Sequence, residues 1–291
     1  MISYLENKEI DYAKWDFSLS ESSNRLVYAN SWYLDLVCDA WDALVLNDYE
    51  AVMPLPKRKK WGIQYVYQPF FCQQLGIFSN QSGLDVDVFL EAIPKHFKYV
   101  ELNLNSGNTT SKHCVKENVN YLLSLKPIDE LSKGFSENTK RNIKKSGKQD
   151  LTIKELGDYR DTEVFLKDFG KLPVNTTEEY KLFSREALEK KCFKNYGVFL
   201  ADDLLASAFV VETSDRVTYL NGVVAPEGKR NGAMHYLFEY LFKLYLGKIF
   251  DFEGSNIEGI ARFYKGFGAR EVAYQTVKIN RLPFFLRWLK S

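Results

Sequence analysis

The sequence predicts an α/β chain of the α+β kind, built as two similar halves, each a central mixed β-sheet flanked by helices. Three observations carry this. A length of 291 residues with 45% apolar side chains exceeds one small domain and suits two of about 100–200 residues each. The order of segments breaks the regular strand–helix alternation that a doubly wound sheet requires. Two hairpins, Leu44–Leu55 and Val198–Phe209, share one pattern of apolar run, acidic turn and apolar run, a weak internal repeat.

In the first half, Asn30 or Ser31 is placed to cap a helix through Val37, since short polar side chains accept from the first free helix amides. Ala43–Leu46 is strand-like, Asn47 and Asp48 make a turn, and Ala51–Met53 returns. Ile63–Tyr67 is a third strand, and the stretch Lys57–Lys60 before it reads as a basic loop. A helix covers roughly Asp85 to His96 with Pro94 near its end, and Tyr99–Asn103 is the next strand. In the second half, Thr176 and Glu179 form a capping box that starts a helix to about Lys191. Val198–Leu200, Ala206–Val211 and Val217–Leu220 follow as strands, then a helix from about Asn231 to Leu246 and a strand at Ile249–Phe252. Between the halves, Asn120–Leu125 is strand-like and a polar, basic helix at 137–149 is capped by Ser136 or Asn138. The boundary is therefore expected at 135/136, giving halves 1–135 and 136–291.

Composition narrows the chemistry. The net charge of +1 leaves no global field for a polyanion, so phosphate contacts must come from local clusters. Cys38, Cys72, Cys114 and Cys192 are far apart and His96, His113 and His235 are scattered, which argues against a disulfide framework or a bound metal. No Gly-x-Ser-x-Gly elbow or P-loop occurs. Eighteen Tyr and 21 Phe point to β-rich core packing with a few aromatic cleft walls. The N-terminus lacks a signal-peptide run. No segment approaches the roughly 20 apolar residues that cross a bilayer. The expected location is cytoplasmic.

Two stretches of the second half carry the site. Val224–Met234 follows a strand and opens a helix. A turn there is expected to expose backbone N–H groups at the positive end of the helix dipole, with Gly232 admitting a phosphate and Lys229 and Arg230 adding charge. Asp251–Asn256 leaves an apolar strand in a small-residue turn, and the next helix closes on Phe263, Tyr264, Lys265, Gly266, Phe267 and Gly268.

These stretches resemble the GNAT acyltransferase superfamily, and most closely its tandem, Fem-like branch. The resemblance covers nearly the whole chain in architecture and is specific only in residues 218–270. It implies tandem GNAT-like domains. It also implies a donor-phosphate loop at Lys229, Arg230, Asn231, Gly232 and Ala233, with Asn256 beside it. Lys229 and Met234 depart from the usual loop pattern, and Phe263 occupies the usual Tyr position. Tyr264 and Lys265 match the Fem-like aromatic–Lys pair and are the implied catalytic residues, Lys265 meeting the acyl donor or the developing oxyanion. Arg141 and Lys144 of the basic helix, Arg58, Asp251 and Ser255 are the implied substrate-binding residues. No general base stands out among Asp251, Glu253 and Glu258. The implied activity is transfer of an acyl or aminoacyl group from acyl-CoA (acetyl-CoA) or aminoacyl-tRNA to a small-molecule or peptide amine. A degenerate scaffold that binds RNA or a cell-wall or polysaccharide precursor is the alternative. A Lys at a helix C-terminus also complements the helix dipole.

Overall fold

The computed structural model describes residues 1–157, 183, 186–187, 189–254, 256–285 and 287. Most of the helix expected from Thr176 to Lys191 lies outside them, as do Ser255 and the end of the aromatic C-terminal tail.

The chain forms two compact units, Met1–Asn118 with Ala273–Ser291, and Val119–Val272. In the first unit the strands are β1 (Ile2–Leu5), β2 (Trp41–Leu46), β3 (Ala51–Lys60), β4 (Ile63–Val66), β5 (Phe78–Ser79) and β6 (Phe97–Asn103). The order is β1-β2-β3-β4-β6, closed by β13 (Arg270–Asn280), with β5 on β3. Pairing is antiparallel except for β4 with β6. In the second unit β7 (Cys114–Ser124) is followed in sheet order by β12 (Ile249–Asp251), β11 (Arg216–Val224), β10 (Asp203–Glu212), β9 (Phe193–Leu200) and β8 (Leu151–Glu155). Here β11 and β12 are the parallel pair. Both units thus repeat one plan: antiparallel strands, one parallel pair, and a closing antiparallel strand.

That closing strand corrects the expected boundary. The chain returns Ala273–Asn280 to pair with Tyr99–Asn103 in the first unit. Leu122–Ser124 closes the second unit on β12. The units therefore divide at 118/119 and 272/273, and not at 135/136, because ladder hydrogen bonds rather than the polar linker bind these strands.

The described helices are α1 (Tyr12–Glu21), α2 (Ser31–Val37), α3 (Val86–Ala92), α4 (Ile128–Leu131), α5 (Glu137–Ser146), α6 (Pro226–Asn231), α7 (Ala233–Leu244) and α8 (Glu258–Lys265). Caps follow short polar residues: Asp11, Asp85 and Ser136 each accept from helix amides in their first turns. Pro94 keeps α3 short. The basic run 57–60 is strand, not loop; the turn is the pair Trp61 and Gly62, both at positive φ. The helix expected from Asn231 is two helices. Pro226, pre-set for a first helical position, starts α6 early. Gly232, at φ +74°, ends it and begins α7.

The second unit's core is aromatic, with Phe238, Phe242, Phe250, Phe252 and Phe267 all below 2% exposure. The first is centred on Trp15 and Trp41, whose ring centroids lie 5.0 Å apart.

Candidate active site

The parallel pair β11–β12 is the origin of the site. Its pairing runs only from Arg216–Ile249 to Thr218–Asp251. Beyond that point β11 continues to Val224 beside β10, while the chain after Asp251 leaves β12, the Phe252 N–H donating to the Tyr121 carbonyl at 3.0 Å. The two strands part, opening the sheet between them.

A strained turn follows Asp251. Glu253 and Gly254 both have positive φ, 58° and 67°, a conformation costly for a non-glycine residue. At Gly254 it is obligatory, since a Cβ would lie 2.2 Å from the Val119 carbonyl oxygen. Asp251 fixes this turn. It is 1% exposed and accepts from the Glu253 N–H at 3.0 Å, from Asn120 Nδ2 at 2.9 Å and from Arg216 at 2.6 Å. Its oxygens, expected to meet substrate, are thus engaged inside the fold.

The α8 residue Tyr264 fills the gap. Its ring is 4.6 Å from that of Phe252, 5.8 Å from Tyr121 and 6.5 Å from Tyr219, and it is 7% exposed. Burial first, then the Glu253 carboxylate, push its hydroxyl pKa up, so the phenol stays protonated. Lys265, the next residue, is exposed and donates to Glu271 Oε1 at 2.7 Å. Glu271 also accepts from the Tyr121 hydroxyl at 3.2 Å. The Glu271 hydrogen bond holds the Lys265 pKa up, and Lys265 in turn holds the Glu271 carboxyl below its usual range. The result is an exposed cation paired with Glu271 on the residue next to Tyr264. Glu271 carried no sequence signal, because its partner sits on another element.

α5 joins the two predicted stretches. The Ser136 N–H donates to the Gly266 carbonyl at 2.8 Å. A Cβ on Gly266 would lie 2.6 Å from Thr139 Oγ1, and one on Gly232 would lie 2.9 Å from the Asn142 carbonyl oxygen. His235, at the start of α7, packs its ring 4.9 Å from Phe263 and 5.6 Å from Phe267. α5 therefore lies against both Gly232 and Gly266.

The loop itself differs from expectation. Lys229 donates its N–H to the Ala225 carbonyl and Gly232 to the Lys229 carbonyl, so these amides are used inside α6. Ala233 is fully buried, and the close neighbour of Gly232 is Asn142. The side chains of Lys229, Arg230, Arg141, Lys144 and Asn256 are exposed, and Asn231 is half-buried. Gly228 escaped the sequence reading: a Cβ there would lie 2.2 Å from the Leu205 carbonyl oxygen, so only Gly allows α6 onto β10. Arg58 belongs to the first unit. It pairs with Asp39 at 2.7 Å and stacks 4.4 Å above the Tyr67 ring.

His235, one of the three scattered histidines, lies on α7. Its Nε2 is buried without a partner, and burial lowers its pKa to about 4. A neutral imidazole this weakly basic is a poor proton acceptor at neutral pH.

The architecture is a mixed α/β fold of the Fem-like tandem GNAT kind. The chain is similar in structure to FemX, at 10% identity and TM-score 0.67 over 99% of this chain and all of that one. It is similar to a tandem GNAT protein from the clavulanic acid biosynthesis pathway, at 11% identity and TM-score 0.58 over 97% and 99% of the two chains. It is also similar to L-PGS from Bacillus licheniformis, at 11% identity and TM-score 0.52 over 96% and 95%. No family model matches the chain, and no curated protein matches it. Among the described residues no helix is long and apolar enough to cross a membrane.

Proposed function

We propose that the chain is an N-acyltransferase, moving an acyl or aminoacyl group from an activated ester or thioester to an amine at the gap between β11 and β12. The observation that carries this is the Lys265–Glu271 pair standing beside the buried Tyr264 phenol where the parallel strands part. The amine nitrogen attacks the acyl carbon, and the carbonyl π electrons move onto its oxygen. The Lys265 ammonium, held by Glu271, stabilises that oxyanion. Collapse breaks the bond from the acyl carbon to the carrier's oxygen or sulfur, which takes the proton of the Tyr264 hydroxyl, and the attacking nitrogen passes its own proton to Tyr264, restoring the phenol. Holding both reactants in place is worth on the order of 7–11 kcal/mol, so no strong general base is required.

The donor follows from the loop. The Asn142 carbonyl oxygen lies against the Cβ side of Gly232, and the Lys229 and Gly232 amides are bonded inside the chain, so the loop offers a CoA pyrophosphate few free donors. The exposed cations Lys229, Arg230, Arg141 and Lys144 suit phosphates approaching from outside. This favours an aminoacyl-tRNA donor and assigns Arg141 and Lys144 to it.

Labelled aminoacyl-tRNA offered with a panel of small amines and peptides tests the reading. Transfer by the wild type, lost in Lys265→Met with melting unchanged within about 1 kcal/mol, is the expected result, since an exposed ion pair contributes little to stability. A fully active Lys265→Met enzyme would refute the role of Lys265.

The closed turn at Gly232 favours a second reading, a scaffold that binds a phosphate-bearing partner without transferring anything. Retained RNA binding with no product under any donor would establish it.

A further inference from the structure

Independently of transfer, we propose that the β3–β4 hairpin of the first unit is a peripheral anchor for an anionic bilayer surface, with the Trp61 indole in the headgroup layer and Lys59 and Lys60 against lipid phosphates.

The tip residue is the first argument. Lys60 pairs with Ile63, so Trp61 and Gly62 form a two-residue turn with φ of 51° and 78°. Such turns favour Asn, Asp and Gly; a bulky aromatic there is strained. Yet Trp61 is 82% exposed, so the fold recovers almost nothing from its ring. A strained, exposed Trp is best accounted for by a contact outside the chain.

Charge is the second. Lys57 is taken by the buried Asp42, and Arg58 by Asp39. Lys59 and Lys60 are exposed and have no carboxylate partner among the described residues. A cleft of about 360 Å³ lined by Lys57, Arg58, Lys59, Lys60, Gln64 and Tyr65, with Asp39 on its wall neutralised by Arg58, has room for a headgroup phosphate. An amphipathic ring at a tip with basic residues behind it matches the headgroup region of a negatively charged leaflet.

Single-stranded RNA uses the same residue types but needs free aromatic faces in series. Here Lys60 Nζ sits 4.9 Å over the Trp61 ring, Arg58 covers Tyr67, and Tyr65 packs on Tyr67 at 6.2 Å. The bilayer is the better match.

Flotation of the full chain with phosphatidylcholine vesicles, with and without a minority of phosphatidylglycerol, tests this. Binding is expected only with phosphatidylglycerol, weakened by high salt. The double variant Lys59→Ala, Lys60→Ala should lose about five-fold in partition per lysine, and Trp61→Ser about ten-fold. Both changes are at exposed positions, and unchanged melting curves confirm folding. Failure of the wild type to float, or variants that bind like it, overturns the proposal. So does a loss that follows Phe284→Ser and Phe285→Ser in the exposed tail instead, or variant-sensitive binding to an RNA oligonucleotide without vesicle binding.

Discussion

At the scale of single residues, the buried polar groups show their roles through their partners. Asp251 shapes the site. Removing its charge leaves Arg216, 17% exposed, without its partner, and an uncompensated cation in such a place costs about 3–5 kcal/mol. Asp251→Asn should therefore lower the thermal midpoint strongly. A variant with wild-type melting and lost activity would restore a substrate-binding role instead. His235 gives a pH signature. Its folded pKa of about 4 lies below the usual 6.5, so the unfolded chain binds a proton that the folded one refuses. Stability from this group is complete above about pH 6.5 and falls as pH drops towards 4, by up to about 3 kcal/mol. His235→Phe, which keeps the aromatic packing, should flatten that part of the stability–pH curve in chemical denaturation. Of these residues the sequence pointed to Lys265 and Tyr264 by motif. It could not point to Glu271 or separate Asp251 from a ligand group, because charge pairing across strands is not a local pattern.

At the scale of elements, glycines set the spacing of the site. Gly228 lets α6 rest on β10, and Gly232 lets α5 cross the start of α7. Gly228→Ala would drive a methyl into the Leu205 carbonyl, backbone against backbone, and should destabilise the chain by about 3 kcal/mol or more, read by urea unfolding. An Ala tolerated there would mean α6 rides elsewhere. Several elements were legible from local rules. Ser136 caps α5 as a short polar N-cap should; Asn47–Asp48 lie in the turn of their hairpin, while the second hairpin turns at Ala201–Asp202, one residue before the expected Asp202–Asp203. The basic run 57–60 was not legible. Its charges suggest a loop, but cross-strand partners at Gln64, Tyr65 and Val66 and the burial of Asp42 under Lys57 make it strand. α1 was missed too, because its core contacts are only Trp15 and Leu19, too sparse a stripe to show helical periodicity.

At the scale of the molecule, both units depend on a strand supplied from far along the chain. Truncation after Val272 removes the pairing of β13 with β6 and exposes an unpaired edge. Limited proteolysis with mass spectrometry should then show 1–118 cut early while a core of 119–272 persists; equal resistance of both would mean that β13 is dispensable. The sequence by itself determined the mixed α/β class, the repeated hairpins, the basic helix and the aromatic–Lys–Gly–Phe–Gly segment, because each is written in neighbouring residues through periodicity, capping or turn chemistry. Only the tertiary structure decided where the units divide, that the Asn142 carbonyl lies against Gly232, and that Glu271 holds Lys265. Those depend on strand pairing and close approach between residues far apart in the chain, and no local pattern encodes such distances.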